Sequence, residues 1–183
     1  MHMKTIDLPG VGPVTIREAI PDDAERLVPY VRAVADETDN LSFRGSEFTV
    51  TVEQERVILA EYRESDNQLY LVAEASGGEI LGVLSLDASQ KPRLRHLGEF
   101  GLSVKKAYWN QGVGRALLTY LLDWARAGGI IRKIKLHVIT SNEAAIALYR
   151  SLGFAMEGLG RNELCVDGEF HDMYAMGLLI DPQ

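Results

Sequence analysis

A glycine-containing turn between a predicted strand and a predicted helix constrains this chain more than any other feature. The segment 109–116 reads Trp-Asn-Gln-Gly-Val-Gly-Arg-Ala. Phe100, Leu102 and Val104 alternate before it as in a strand, and apolar residues recur with helical spacing over residues 113–125. Glycine allows a tight backbone turn, and the first amides of a helix have no partner within the helix. The turn therefore predicts a binding site for an anion such as a phosphate.

Two common phosphate-binding loops do not fit this turn. A Walker loop carries Lys and then Ser or Thr after its last glycine, whereas Arg115 and Ala116 stand here. A dinucleotide fingerprint needs a third glycine three residues further on, where this chain has Leu117. The turn alone also leaves open a tight strand-to-helix connection that binds no ligand.

The size and composition of the chain predict one globular domain over residues 1–183. The 183 residues are 46% hydrophobic and 25% charged, which are ordinary values for a domain with a real core. The sequence does not begin with a basic region followed by an apolar one, and it has no run of about 18 apolar residues. We therefore expect neither a signal peptide nor a membrane span, and we expect a cytoplasmic location.

Charge and cysteine content narrow the range of partners. The net charge of −7 argues against nonspecific nucleic-acid binding, which depends on Lys and Arg. Lys105, Lys106 and Arg115 flank the glycine turn, however, and would give a phosphorylated ligand a locally positive pocket. The single cysteine, Cys165, excludes a disulfide within the chain, and we interpret it as a strand residue. The sequence shows no cluster of residues with metal-ligand spacing.

Periodicity and turn residues predict an α/β fold. Thr51 to Gln54 has the form of a capping box, and Gly77-Gly78 and Asp167-Gly168 are typical hairpin turns. The predicted helices begin at residue 21, at residue 51, at the glycine turn and at residue 142. The predicted strands are 14–18, 69–75, 80–86, 96–104, 133–138, 154–166 and 170–179. These elements indicate a mixed sheet of about seven strands flanked by about four helices.

A second motif follows the turn at residues 142–154, which read Asn-Glu-Ala-Ala-Ile-Ala-Leu-Tyr-Arg-Ser-Leu-Gly-Phe. This segment resembles the Asn-x-x-Ala-Ile-x-x-Tyr-x-x-x-Gly-Phe signature of the GNAT superfamily of N-acetyltransferases. The turn strengthens the resemblance, because Gln111 to Ala116 fits the family pattern of Gln or Arg, two residues, Gly, one residue, and Gly or Ala. The motifs cover about residues 96–154, and the order of elements fits the family over about residues 14–179.

The resemblance implies the GNAT fold, with a mostly antiparallel sheet, and acetyl transfer from acetyl-CoA to a primary amine. In this family the glycine turn binds the pyrophosphate, the preceding strand binds the pantetheine arm, and the Asn and Tyr of the second motif flank the thioester. The implied cosubstrate-binding residues are Leu102, Ser103, Val104, Asn110, Gln111, Gly112, Val113, Gly114, Arg115, Ala116, Asn142 and Tyr149. Whether Asn110, Gln111 or Arg115 provides the side chain on the pyrophosphate stays open.

Glu99 is the candidate general base. An amine attacks a thioester only when its nitrogen is unprotonated, and Glu99 resembles the acidic residue that some family members use at this place. Alternation puts Glu99 on the face opposite Phe100, so its direction depends on whether the strand bulges as it does in the family. The alternative is a structural carboxylate that pairs with Arg93, Arg95 or a backbone amide.

Tyr149 is the candidate acid for the departing CoA thiolate. It also belongs to an apolar stripe with Ala145, Leu148 and Leu152, so a core tyrosine is the alternative. Asn142 has the character of a helix N-cap, which is compatible with a contact to CoA. His96 and His137 lie on strands near the candidate site, and we interpret both as structural residues.

The predicted function is acetylation of a small-molecule primary amine by direct attack. Within the family, the C-terminal part of the sequence resembles bacterial enzymes that act on amino acids or amino-acid-like compounds such as phosphinothricin. A protein N-terminal acetyltransferase and a noncatalytic acyl-CoA sensor are the alternatives. The family binds its acceptor at the loop that is here about residues 39–50 and at the last hairpin, and Glu47 would suit a cationic acceptor. We expect no nucleic-acid or membrane partner, and the resemblance allows a homodimer.

Overall fold

The strand-forming segments pair into one eight-stranded sheet in the computed structural model, which describes residues 3–181. The strands are β1 (Lys4–Leu8), β2 (Gly12–Glu18), β3 (Leu69–Ala75), β4 (Ile80–Ala88), β5 (Leu97–Val104), β6 (Lys133–Ile139), β7 (Ala155–Val166) and β8 (Glu169–Leu179). Their order across the sheet is β1-β2-β3-β4-β5-β6-β8-β7. All neighbours are antiparallel except β5 and β6, which are parallel. The predicted mixed, mostly antiparallel sheet is confirmed.

The sheet has one strand more than the sequence predicted. The additional strand, β1, is a short edge strand whose five residues are all exposed or half-buried. Its alternation is too brief to identify it alone, because only Ile6 and Leu8 pack against the core. The strand forms because it pairs with β2 along its whole length, from Lys4 opposite Ile16 to Leu8 opposite Gly12.

Four α-helices accompany the sheet, as predicted. They are α1 (Ala24–Asp36), α2 (Val52–Glu64), α3 (Val113–Gly128) and α4 (Glu143–Ser151). The predicted capping box before α2 is confirmed, because the Gln54 amide donates to Thr51 Oγ1 and the Thr51 amide donates to Gln54 Oε1. Residues Pro21–Asp23 form a 3-10 turn before α1 instead of its first turn. No helix among residues 3–181 is long and apolar enough to cross a membrane.

The helices cover the two faces of the sheet unequally. Along β3, Leu71 and Ala73 pack into a core with α3 and α4, while Val72 packs on the other face with α1 and α2. Successive side chains of a strand point to opposite faces, so one strand serves both cores. The core of α1 and α2 reaches β3 and β4, whereas alternate residues of β6 on that face, such as Lys135 and His137, are at least partly exposed. One face of β6, β8 and β7 therefore stays open.

A buried ion network joins the start of α1 to β2 and β3. Asp23 is 1% exposed, and Arg17 binds both its carboxylate, at 2.7 Å, and that of Glu74, at 2.7 Å. Arg26 binds the same two carboxylates. Burial alone would raise the pKa of Asp23, but the hydrogen bonds from Arg17, the Ile20 amide and Arg26 outweigh it and lower that pKa.

The parallel strands β5 and β6 separate partway along their length. Their pairing runs only from Leu97 opposite Lys133 to Glu99 opposite Lys135. Beyond that point β5 continues to Val104 in partnership with β4, and β6 continues to Ile139 in partnership with β8. A gap therefore opens between the carboxyl ends of the two strands. In α/β sheets, ligands bind outside the carboxyl ends of neighbouring parallel strands.

Candidate active site

The glycine turn lies at the N-terminus of α3, directly after β5 and the 3-10 turn Lys106–Tyr108. Gly112 is the N-cap residue and has a φ of +91°, and Asn110 has a φ of +59°. A side chain at Gly112 would be strained, and its Cβ would lie 3.2 Å from Cδ2 of Leu8. No side chain of residues 3–181 caps this helix. The first amides of α3 are therefore available to bind an anion.

Two of the three cations that flank the turn, Lys105 and Arg115, have different partners, whereas Lys106 Nζ lies over the Trp109 ring, 5.9 Å from its centroid. Lys105 Nζ pairs with Glu79 at 2.7 Å, so its charge is largely neutralised. Arg115 donates to the uncharged Ser151 Oγ at 2.7 Å and keeps its positive charge beside the turn. The Gln111 side-chain amide donates to the Ala107 carbonyl at 2.8 Å. Of the side chains considered for a pyrophosphate contact, the charged Arg115 is therefore better suited than Gln111.

The second motif forms α4 and the residues just after it. Asn142 is its N-cap, because the Ala145 amide donates to Asn142 Oδ1 at 3.3 Å. The Tyr149 ring is 7% exposed and packs edge-on against Phe100, at 5.7 Å between centroids, and Phe154, at 6.0 Å. This position places Tyr149 beside Phe100, the first residue of β5 after its pairing with β6 ends.

The Tyr149 hydroxyl opens onto accessible space. Within residues 3–181 the hydroxyl forms no hydrogen bond with another residue. Every side-chain oxygen or nitrogen in that range that is fully buried does have a hydrogen-bond partner. The hydroxyl must therefore reach a surface, although the ring is buried. Burial raises the pKa of Tyr149 to about 12, so the phenol stays protonated at neutral pH.

Glu99 faces the side of the sheet that carries α1 and α2. The pairing of β5 with β4 runs from Gly98 to Val104 without a register shift, so the strand does not bulge and Glu99 points away from Phe100. Its carboxylate does not pair with Arg95, which binds Asp66 instead. Glu99 Oε2 lies 2.9 Å from Lys135 Nζ, and Glu99 Oε1 lies 3.0 Å from His137 Nδ1.

These contacts define the hydrogen-bonding roles of Glu99 and His137. Partial burial would raise the pKa of Glu99, but the hydrogen bonds from Lys135 and His137 outweigh it and lower that pKa. Glu99 is therefore ionised at neutral pH and can only accept hydrogen bonds. His137 Nδ1 must then be the donor, and in the tautomer that this assignment gives, the lone pair of the ring lies on Nε2. Both side chains are 43% exposed, so a ligand can approach the pair.

A cavity of about 220 Å³ lies on the open face next to His137. Its lining residues are His137, Gly158, Leu159, Gly160, Glu163, Met173 and Ala175. Small residues on β7 and β8 provide the space, and β7 shifts its register between Met156 and Gly158 and again between Gly160 and Leu164. From the sequence, His137 was predicted to be a structural strand residue. Its place on the polar face of an alternating strand indicated a side chain outside the core. The sequence did not show that its partner is Glu99.

The two segments predicted to bind the acceptor, the loop between α1 and α2 and the last hairpin, lie next to each other. Arg44 Nη2 lies 2.6 Å from Asp167 Oδ2 in the turn between β7 and β8. Glu47 belongs to the 3-10 turn Gly45–Glu47, and its Oε2 accepts a hydrogen bond from the Arg44 amide at 2.7 Å. The Glu47 carboxylate therefore stabilises its own loop, and its suitability for a cationic acceptor stays a prediction.

Known proteins resemble this chain over the region that forms the gap. The model of the Acetyltransferase (GNAT) family matches residues 36–154. The L-amino acid N-acetyltransferase AaaT of Escherichia coli strain K12 is 33% identical over 99 residues, which are 54% of this chain and 61% of that protein. The N-alpha-acetyltransferase RimI of Mycobacterium tuberculosis is 38% identical over 107 residues, 58% of this chain and 64% of that protein. The chain thus spans about three fifths of these curated relatives.

A solved structure extends the similarity to almost the whole chain. The crystal structure of a GNAT-family acetyltransferase from Streptococcus pneumoniae has a TM-score of 0.89 and is 40% identical. The match covers 91% of this chain and 99% of the other. The matched family model also contains the glycine turn, both strands of the gap, and the Asn142 and Tyr149 motif. The chain belongs to the acetyltransferase (GNAT) family.

Proposed function

We propose that this protein is an N-acetyltransferase that transfers the acetyl group of acetyl-CoA to the primary amine of a small molecule, an amino acid or a similar compound. The gap between β5 and β6 carries the proposal. The uncapped N-terminus of α3 lies at one side of it, and an ionised carboxylate, a histidine and a cavity lie on the opposite face of the sheet. The names of the two curated relatives, an L-amino acid N-acetyltransferase and an N-alpha-acetyltransferase, support an amine acceptor.

The residues around the gap fit acetyl-CoA, which supplies an activated acetyl thioester. The uncapped amides at Gly112 and the charge of Arg115 suit its pyrophosphate. The edge of β5 beyond Glu99 is not paired with β6, so its outward backbone amides, those of Leu102 and Val104, can hold an extended pantetheine arm. This arrangement supports the residues that the sequence assigned to the cosubstrate, whose roles stay predictions.

Two side chains of this protein would move the protons. His137 Nε2 accepts the proton of the attacking amine, while Glu99 orients the ring and stabilises the imidazolium through Nδ1. Tyr149 donates its hydroxyl proton to the departing thiolate, because its raised pKa keeps the phenol protonated. Glu99 would then act through His137, a refinement of its predicted role as the direct base.

The cavity is large enough for a small acceptor. A cavity of about 150 Å³ holds benzene, so the roughly 220 Å³ beside His137 can hold about nine non-hydrogen atoms by the same ratio. That number corresponds to an amino acid of medium size. A single domain over residues 1–183, the cytoplasmic location and a homodimer stay predictions.

Release of CoA thiol from acetyl-CoA tests the proposal. The acceptor panel contains the twenty amino acids, phosphinothricin, polyamines and short peptides, and calorimetry measures acetyl-CoA binding in parallel. We expect turnover with one or more free amino acids. Tight binding without turnover would support the acyl-CoA sensor, and turnover confined to peptides would support a protein N-terminal acetyltransferase.

Three variants test the roles of Glu99 and His137. In His137→Asn, the side-chain amide can keep the hydrogen bond to Glu99 but has no counterpart of Nε2. We expect this variant and Glu99→Gln to lower kcat by about 10²- to 10⁴-fold. The control is Lys135→Gln, which removes the other partner of Glu99 and should change kcat by about fivefold at most. Wild-type kcat in His137→Asn would exclude His137 as the base.

A further inference from the structure

Two segments that are far apart in sequence meet through one ion pair on the open face. Arg44 belongs to the loop between α1 and α2, Asp167 belongs to the turn between β7 and β8, and their side chains lie 2.6 Å apart. The two residues are 123 positions apart. We call this contact the Arg44–Asp167 bridge.

The Arg44 end of the bridge is fastened to the carboxyl end of β5. The Tyr30 hydroxyl on α1 donates to the Ser103 carbonyl at 3.1 Å, and the Lys106 amide donates to Glu37 Oε2 at 2.7 Å. The loop folds back on the same helix, because the Gly45 amide donates to Asp36 Oδ1 at 2.9 Å. The position of Arg44 therefore follows that of β5.

The Asp167 end of the bridge extends from the carboxyl end of β6. Strand β8 pairs with β6 only as far as Met173 opposite Ile139, where β6 ends. The rest of the hairpin, with Leu164 opposite His171 and Val166 opposite Glu169, projects beyond that end. The bridge therefore connects the same two strand ends that the gap separates.

We propose that the Arg44–Asp167 bridge closes the acceptor entrance and restricts the acceptor to small free amines. This inference rests on the proposed function. The paired residues from Glu99 to Lys135 close one end of the gap, and the bridge spans the other end. A free amino acid fits inside this ring. A polypeptide has to extend its chain out of the cleft between the two segments that the bridge joins.

The bridge is weak enough to open for substrate entry. The side chains of Arg44 and Asp167 are 56% and 75% exposed, and an exposed ion pair favours its closed form by about fivefold at most. Salt screens such a pair. We therefore expect an effect of a few fold on acceptor selection, largest at low ionic strength.

The test compares L-leucine with the tripeptide Leu-Ala-Ala, because the cavity lining includes apolar Leu159, Met173 and Ala175. The variants are Arg44→Gln, Asp167→Asn and the double variant. Asp167 has a φ of +51°, which Asn also tolerates, so the turn should persist. We expect each single variant to raise kcat/KM for the tripeptide relative to leucine by about two- to fivefold, and the double variant to add nothing further.

The matched control is Asp66→Asn, which removes the exposed Arg95–Asp66 pair at 2.7 Å, near the other end of β5. Its ratio of tripeptide to leucine should equal that of the wild type. An unchanged ratio in Arg44→Gln and Asp167→Asn, or additive effects in the double variant, would overturn the proposal.

A second measurement does not depend on turnover. Amide hydrogen exchange at residues 39–50 and 164–171 should become faster in Asp167→Asn than in the wild type or in Asp66→Asn, because loss of the bridge frees both segments. Equal exchange in all three proteins counts against the bridge as a closing contact. If the wild type acetylates no acceptor but this exchange difference is present, the proposed function fails and the closing contact stands.

Discussion

Replacement of Tyr149 by Phe separates the packing of this residue from its chemistry. The ring keeps its edge contacts with Phe100 and Phe154, and the deleted hydroxyl has no hydrogen-bond partner among residues 3–181. A hydrogen bond contributes roughly 0.5–1.5 kcal/mol to stability, and none is lost here. We therefore expect the free energy of unfolding to change by less than about 0.5 kcal/mol.

The same change should lower catalysis strongly. Loss of a general acid costs about 10²- to 10⁴-fold in kcat, which corresponds to about 2.7–5.4 kcal/mol of transition-state stabilisation. The pKa of Tyr149 is raised to about 12 by burial. The acid form is present below that pKa, so loss of its proton should not decrease the wild-type kcat at any pH up to about 10.

Urea unfolding and steady-state thiol release measure the two effects, with Tyr174→Phe as the control. Tyr174 is a partly buried tyrosine on the same core, and this variant should retain both stability and kcat. Calorimetry should give nearly wild-type affinity for acetyl-CoA in Tyr149→Phe. Wild-type kcat in that variant would refute the acid role. A loss of several kcal/mol in unfolding would refute the conclusion that the hydroxyl has no structural partner.

Substitutions at three further positions test the turn, the cap and the buried ion network. Gly112→Ala should cost about 1–2 kcal/mol in urea unfolding, because φ is +91° there, and should weaken acetyl-CoA binding in calorimetry. Asn142→Ser keeps a helix cap for the Ala145 amide, whereas Asn142→Ala should lose the cap and about 1 kcal/mol of stability. If the acetyl-CoA KM rises equally in both variants, the Asn142 side-chain amide contacts CoA. Asp23→Asn should cost about 3 kcal/mol at pH 7, because Arg17 loses a buried carboxylate. The folded-state pKa of Asp23 is lowered, so the stability that its carboxylate contributes is complete above about pH 4 and is lost as pH falls through the folded-state pKa. Urea unfolding of the wild type and Asp23→Asn from pH 7 to pH 3 measures this loss. A stability difference between the two proteins that stays constant over this range would contradict it.

Elements with local sequence signals could be predicted closely. Strand β3 occupies Leu69–Ala75, the predicted range, because alternating residues and a Gly-Gly turn mark it. The cap of α2 at Thr51 and the glycine-dependent start of α3 also follow from residues within a few positions of each other. Strand β1 could not be predicted, because pairing with β2 stabilises it more than its own sequence does.

The sequence by itself determined the glycine turn, the Asn142 and Tyr149 helix and the family to which they belong, because each depends on short-range spacing. Only the tertiary structure decided that Glu99 meets His137 and that Arg44 meets Asp167. These contacts depend on a parallel register of three residue pairs and on the place where a long hairpin ends. Register and strand separation follow from packing of the whole chain, and no local pattern encodes them.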